Sequence, residues 1–199
     1  MKKFLSLILS LMLCFGVMAP AMAEDLTVTQ ETSFSFDLAT YQSIFDMLCQ
    51  NITGTTPVWT VSEDGLSATA SIEGYSDVVF ALDAEGKVKN LTTMLLATSD
   101  TMNTVAANYG MIIAAAGVSV LMTEDETFAT GDGPNTFATE FETLLNSLLS
   151  DIMSAITGET VKVIGTICET SCACTLSINI ETMEFTFGFF MAPEGTVIE

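Results

Sequence analysis

The chain contains no arginine and no histidine, and its five lysines face 25 acidic residues, giving a formal net charge of −20 at pH 7. Without imidazole there can be no Ser-His-Asp or Cys-His nucleophilic system, no His-ligated metal and no imidazole acid–base chemistry. Without guanidinium there is no bidentate clamp for carboxylate or phosphate. So few cations exclude nucleic acid, which needs clustered Lys or Arg to displace counterions. They disfavour anionic membrane surfaces for the same reason. Carboxylate-pair hydrolysis survives, because it needs only two Asp or Glu. With 25 carboxylates available, its survival says little.

The positive charge that exists is spent partly at the start. Lys2 and Lys3 precede the uncharged stretch 4–18, and Ala21-Met22-Ala23 supplies a small-x-small pattern before Glu24-Asp25. This reads as a secretory signal peptide over residues 1–23, bacterial in style and cleaved before Glu24. Bulky Leu13 stands before Cys14 where a lipoprotein signal needs a small residue, so no lipid is expected there. The expected product is a secreted, extracellular protein: residues 24–199 as a single mature α+β domain with Lys87, Lys89 and Lys162 as its lysines. Its acidity reads first as solubility outside the cell, with cationic partners or divalent ions left open.

An internal near-repeat organises the rest, with 26–100 and 101–199 as its halves. Leu38, Tyr41, Phe45, Leu48, Cys49 and Ile52 form a helical stripe, Asp37 fits its N-cap, and Phe36 and Tyr41 fit a hydrophobic staple. A second stripe runs from Phe137 to Ile156 after the breaker Gly133-Pro134, and both stripes end in Ile-Thr-Gly, at 52–54 and 156–158. Short alternating apolar segments follow each helix, separated by turns such as Ser62-Glu63-Asp64-Gly65 and Asp83-Ala84-Glu85-Gly86. A further turn is expected near Glu169-Thr170-Ser171, and the alternating residues of 26–36 suggest an entering strand. The order predicts an α+β fold, antiparallel sheet packed with three helices at 37–53, 101–122 and 136–157, in two tandem helix-plus-β-meander repeats. In arrangement only, this resembles the beta-lactamase-inhibitor-like proteins. No residue correspondence accompanies the resemblance, so it implies no activity.

Residues 102–122 carry no charge over nearly a bilayer-spanning length. Asn103, Thr104, Asn108, Tyr109 and Ser119 dilute the run, and no basic residue marks a cytoplasmic flank. A buried helix is the expectation, with Ala106, Gly110, Ala114, Gly117 and Leu121 as a close-packing face; membrane tethering is the alternative.

Four cysteines follow the signal: Cys49, Cys168, Cys172 and Cys174. An even number in an exported chain makes them disulfide candidates. Cys172 and Cys174 share one strand face, so either could oppose Cys168 and the other reach Cys49, while free core thiols remain the alternative. C-x3-C-x-C lacks zinc-knuckle spacing and there is no C-x-x-C, so neither metal nor redox chemistry is indicated. The acidic run 124–126 through Gly131-Asp132-Gly133 lacks calcium-loop spacing and reads as a solvated loop. Trp59, Phe185, Phe187 and Phe189 read as a buried strand face rather than a ligand cleft.

No catalytic, cofactor-binding or metal-binding residue emerges. The leading expectation is a non-enzymatic secreted binding protein whose sheet face or interhelical groove meets an unknown protein, peptide or cell-wall ligand. A carboxylate-dependent extracellular hydrolase acting on a glycan is the alternative.

Overall fold

The computed structural model describes residues 26–29, 32–98, 101, 104–123 and 131–199. The signal-like segment 1–23 and the acidic run 124–126 lie outside these. Along the chain run β1 (Val28–Thr29), α1 (Leu38–Thr53), β2 (Val58–Val61), β3 (Ser67–Ser71), β4 (Val78–Leu82) and β5 (Val88–Ala97). Then come α2 (Val105–Thr123), α3 (Gly133–Ser150), α4 (Ile152–Ile156), β6 (Val161–Ile167), β7 (Thr170–Asn179), β8 (Glu184–Ala192) and β9 (Val197–Ile198). Seven strands form one antiparallel sheet in the order β2-β3-β4-β5-β8-β7-β6, and β1 pairs β9 in a separate ribbon. The fold is α+β, as the runs of strands divided by helices predict.

Two meanders meet at the β5–β8 seam, where Leu91 opposes Met191, Thr93 opposes Phe189 and Leu95 opposes Phe187. Past the end of β8, residues 34–36 take over the β5 edge: Phe34 N–H donates to Val88 O at 2.8 Å and Val88 N–H to Phe36 O at 3.3 Å. The entering segment therefore divides its work between this edge and the β1–β9 ribbon. Both halves run helix then meander, but the first has four strands and the second three; a duplication is not confirmed.

Helix α1 forms for the reasons its sequence suggests. Asp37 accepts Thr40 N–H at 2.8 Å, Phe36 stacks on Tyr41 at 5.9 Å, and Gly54 closes the helix at φ 78°. Tyr41, Phe45 and Cys49 are buried, whereas Ile52, in the last turn, is exposed. Tyr41 packs edge-on against Phe80 of β4, 4.9 Å between ring centres. Its hydroxyl donates to Ala115 O at 2.9 Å, which ties α1 to α2.

Helix α2 is core, and the expected face is only partly the packed one: Ala114 is buried and Gly117 lies near Phe137, while the rest of that face is open. Met111, Ile112, Ala115, Ala116, Val118 and Ser119 are buried, whereas Ala106 and Leu121 are exposed and open space surrounds Gly110. Met111, Ile112, Val118 and Val120 bury the most apolar surface, and Ala115, Ala116 and Ser119 lie between them on the same side. Asn108 is buried with them: it accepts Ser76 N–H and donates to Thr104 O at 3.0 Å, pinning α2 to the β3–β4 connection.

The helix expected at 136–157 is two. Pro134 opens α3 in its first turn, and Asp151 (φ −104°, ψ 17°) turns its N–H to Leu148 O and Leu149 O, so the axis breaks before α4. The break lets Ala155 of α4 reach full burial while Phe141, Leu144 and Leu148 of α3 cover the sheet. Gly165 of β6 makes room for this contact, since a Cβ there would lie 2.9 Å from Leu144 Cδ1.

Candidate interaction face

Residues opposite one another in an antiparallel ladder share a face, so the registers assign every strand position. One face, under the helices, carries Ala70, Val78, Phe80, Leu91, Leu95, Phe187, Phe189, Met191, Cys172, Cys174 and Leu176, all buried. Here the aromatic alternation of β8 is core, as its period of two indicates. Trp59 joins this side at the sheet's edge, half-buried, with Nε1–H donating to Asp46 Oδ1 of α1 at 2.8 Å.

The outer face is different. One row runs Thr60, Thr69, Val79, Thr92, Phe190, Ala173 and Ile164. Another runs Met94, Gly188, Thr175 and Lys162, and a third Leu96, Thr186 and Ser177. The β1–β9 ribbon covers one end, where Leu26, Val28 and Ile198 pack on Ala173, Phe190 and Ala192 in a small second core. Beyond it lie exposed apolar side chains: Met94 (37% exposed), Leu96 (55%), Ile164 (44%) and, near the β2 edge, Val58 (70%). Between them stand threonines and serines, which suit a pleated surface without carrying charge.

Charge is sorted with the same sharpness. Strands β2 to β8 contain one carboxylate, Glu184, and two of the lysines, Lys89 and Lys162. The other acidic groups near the sheet sit in its turns. A meander sends successive turns to opposite ends, so Glu63, Asp64, Asp83, Glu85, Glu169 and Glu194 mark one end. Glu73, Asp77, Glu159, Glu181 and Glu184 mark the other. The result is a carboxylate-free, partly apolar plane between two acidic rims, with Lys162 at its β6 edge.

Two of these carboxylates, and Asp37 at the α1 N-cap, have structural partners that hold their pKa below the usual range. Asp83 accepts Ser33 Oγ at 2.7 Å and the N–H groups of Glu85 and Lys87, each at 2.9 Å; the serine contributes most to the lowering. Asp64 is lowered by Ser62 and Leu66 N–H, and Asp37 by its cap bond to Thr40. These are turn and cap fixtures, ionised at neutral pH.

A cleft of about 360 Å³ opens at the first rim, lined by Ser33, Phe34, Ser35, Thr123, Glu169, Thr170, Pro193 and Glu194. It brings together the entering segment, the end of α2 and two turns. Among the described residues no group of three or more acidic or cysteine side chains converges as metal ligands do.

The cysteines fall otherwise than their spacing suggests. Cys172 opposes Gly165 and Cys174 opposes Val163, so neither opposes Cys168. The β6–β7 turn is Cys168-Glu169, one residue earlier than expected, with both residues at positive φ (46° and 63°). That two-residue geometry matches strand twist, and Glu140 of α3 secures it by accepting Cys168 N–H at 2.6 Å. Cys49 lies on α1 and, like Cys172 and Cys174, carries a buried free thiol. Burial pushes Cys172 up to about 12, with hydrogen bonds from the Thr170 side partly offsetting it, and Cys49 up to about 11. Cys174 is pushed higher still, again by burial. All three are protonated at neutral pH, which makes them poor nucleophiles and poor metal ligands.

The outer-face residues Thr60, Thr69, Thr92, Met94, Leu96 and Thr186 form no motif. Their only signal in the sequence is that they alternate with core residues in strands that lack acid. No family model matches the chain, and no curated protein and no solved structure does so.

Proposed function

We propose that this is an exported, non-enzymatic interaction protein that meets its partner through the outer face of the seven-stranded sheet. The observation that carries this reading is the plane itself: Met94 and Leu96 remain exposed among threonines, and Ile164 beside Lys162, on a face whose interior lacks carboxylate in a chain rich in it. Solvated surfaces of acidic proteins use charge to stay soluble, and an exposed apolar patch rimmed by polar groups is the usual mark of a contact surface. The helix side also leaves apolar side chains exposed, Met47, Leu149 and Met153 among them, but these stand beside carboxylates such as Asp46, Glu142 and Asp151 rather than on a carboxylate-free surface.

Membrane tethering through 102–122 draws less support. Val105–Thr123 is long and apolar enough to cross a membrane, yet its bulkiest face is engaged with α1 and the sheet. Spanning would strip the core. The hydrolase alternative asks for a carboxylate with a raised pKa. Those shifted here, Asp37, Asp64 and Asp83, are lowered and committed to turns.

The test is photo-cross-linking in source-culture supernatant and cell-wall fractions. A photoreactive residue at Met94 should give discrete adducts, and one at exposed Ser147 on α3 should not. Adducts of equal yield at both positions, or only at Ser147, would remove the outer face as the contact surface.

A further inference from the structure

The two acidic rims specify more than a contact surface. Resting on the reading of the outer face given above, we propose that its partner is a cationic polypeptide with a neutral middle and basic groups at both ends of the contact. Three features argue for it together. The plane presents Thr92, Met94, Leu96, Thr186 and their neighbours without a carboxylate, so a partner's middle there must be uncharged to avoid stranding a charge against apolar surface. Both ends of the strands terminate in exposed carboxylates, Glu63 and Glu194 at one and Asp77 and Glu181 at the other, Glu85 being paired with Lys87 at 3.5 Å. Opposed potentials of this kind set orientation and speed encounter.

The dimensions agree. Six gaps of about 4.8 Å span the sheet from β2 to β6, roughly 29 Å. Strands of five to ten residues place the rims about 17–33 Å apart. The β1–β9 ribbon takes part of that area over β7 and β8, so the open plane falls below the ~800 Å² that one side of a stable protein interface occupies and suits a short extended segment. A second copy of this chain fits poorly, because it would bring acidic rim against acidic rim. A neutral glycan would leave both rims unused.

Attraction between any polycation and this polyanion is not the claim, so the experiment separates geometry from charge. Protein secreted from an expression host is titrated with two isomeric peptides of about ten residues, each four lysines and six valine or threonine residues. One carries paired lysines at its two ends; the other carries all four lysines in the centre. The end-lysine isomer should bind about tenfold more tightly, with affinity falling as salt rises. Met94→Glu with Leu96→Glu adds negative charge and should nevertheless abolish that preference. Glu194→Gln with Asp77→Asn should weaken the end-lysine peptide, whereas Glu142→Gln with Asp132→Asn, on the helix side, should leave it unchanged.

Equal affinity for the isomers, or equal loss from rim and helix-side neutralisation, overturns the cationic assignment. If face-confined adducts of a neutral or anionic partner still form at Met94, the outer face stands and only its partner chemistry falls. If no such adducts form, both fall. Self-association that Leu96→Glu dissolves assigns the face to a second copy and likewise overturns the proposal.

Discussion

The two faces of the seven-stranded sheet are made by the same strands and obey opposite rules. In β8, Phe185, Phe187, Phe189 and Met191 turn toward the helices while Thr186, Gly188 and Phe190 turn away. On the helix side, apolar bulk is matched across strands and against rings: Phe189 meets Phe141 of α3 at 5.6 Å and Phe80 meets Tyr41. On the outer side the same ladder carries small hydroxyl side chains, and only the part under the β1–β9 ribbon is closed. What the difference teaches is that exclusion of charge has two causes in one sheet. Inside, desolvation forbids a carboxylate. Outside, a carboxylate would be solvated at no such cost. Its near absence there accords both with the preference of strands for threonine over acidic residues and with the contact proposed above.

The largest expected effect tests the inner side of that comparison. Phe189→Ala should lower unfolding free energy by about 3–5 kcal/mol, because a fully buried ring on a central strand is lost and the cavity cannot collapse. Thr186→Ala, three residues away on the outer face, should stay within about 0.5 kcal/mol. Urea unfolding of both variants decides it; comparable losses would mean that the outer face is structural core.

Next comes the tightest contact between helix and sheet. Gly165→Ala should cost about 1–3 kcal/mol, since its Cβ would press on Leu144. In Leu144→Ala the same substitution should be nearly silent, and a double-mutant cycle reads the difference. Additive losses would show that α3 does not bear on β6 at this point.

Much of this architecture is legible in the chain because it is local. The α1 cap, staple and glycine stop lie within a few residues of one another, and alternation exposes the strands. Elements fixed by distant partners were harder to read. A turn built from Cys168 and Glu169 at positive φ has no glycine to announce it, and its anchor, Glu140, is on α3. Likewise the break at Asp151 shows only when α4 must dock separately from α3. The small-residue face of α2 is only partly right, because the packed side is centred on Met111, Ile112 and Ala115 and takes in Ala114 but not Ala106 or Leu121. Individual outer-face residues are visible in the sequence, but the plane depends on strand order, which no local pattern encodes.

A smaller effect probes the helix layer. Tyr41→Phe should cost about 1 kcal/mol in urea unfolding, the net value of one hydrogen bond. The loss stays modest because Ala115 O still accepts Ser119 Oγ at 3.1 Å. A loss of several kcal/mol would mean that this hydroxyl organises α1 against α2 far beyond a single bond.

The mildest effect falls on the rims. Asp37, Asp64 and Asp83 have folded pKa values below their ordinary ones, so their contribution is complete above the ordinary carboxylate range and is lost as pH falls through the folded values. Melting temperature should therefore decline on acidification below about pH 4. Asp83→Asn should flatten part of that decline. An unchanged slope in that variant would detach the β4–β5 turn from the acid response.

The β1–β9 ribbon has a mechanical consequence. Thr27 N–H donates to Glu199 O at 2.9 Å and Glu199 N–H to Thr27 O at 2.8 Å, with Val28 opposite Ile198 just inside. A pull that separates residues 26 and 199 loads these links one after another, like the teeth of a zipper, rather than all at once as in shear. The ribbon should yield first and at low force, baring Phe190 and Ala173 while the seven-stranded sheet still holds. Tension would thus enlarge the outer plane before it threatened the fold.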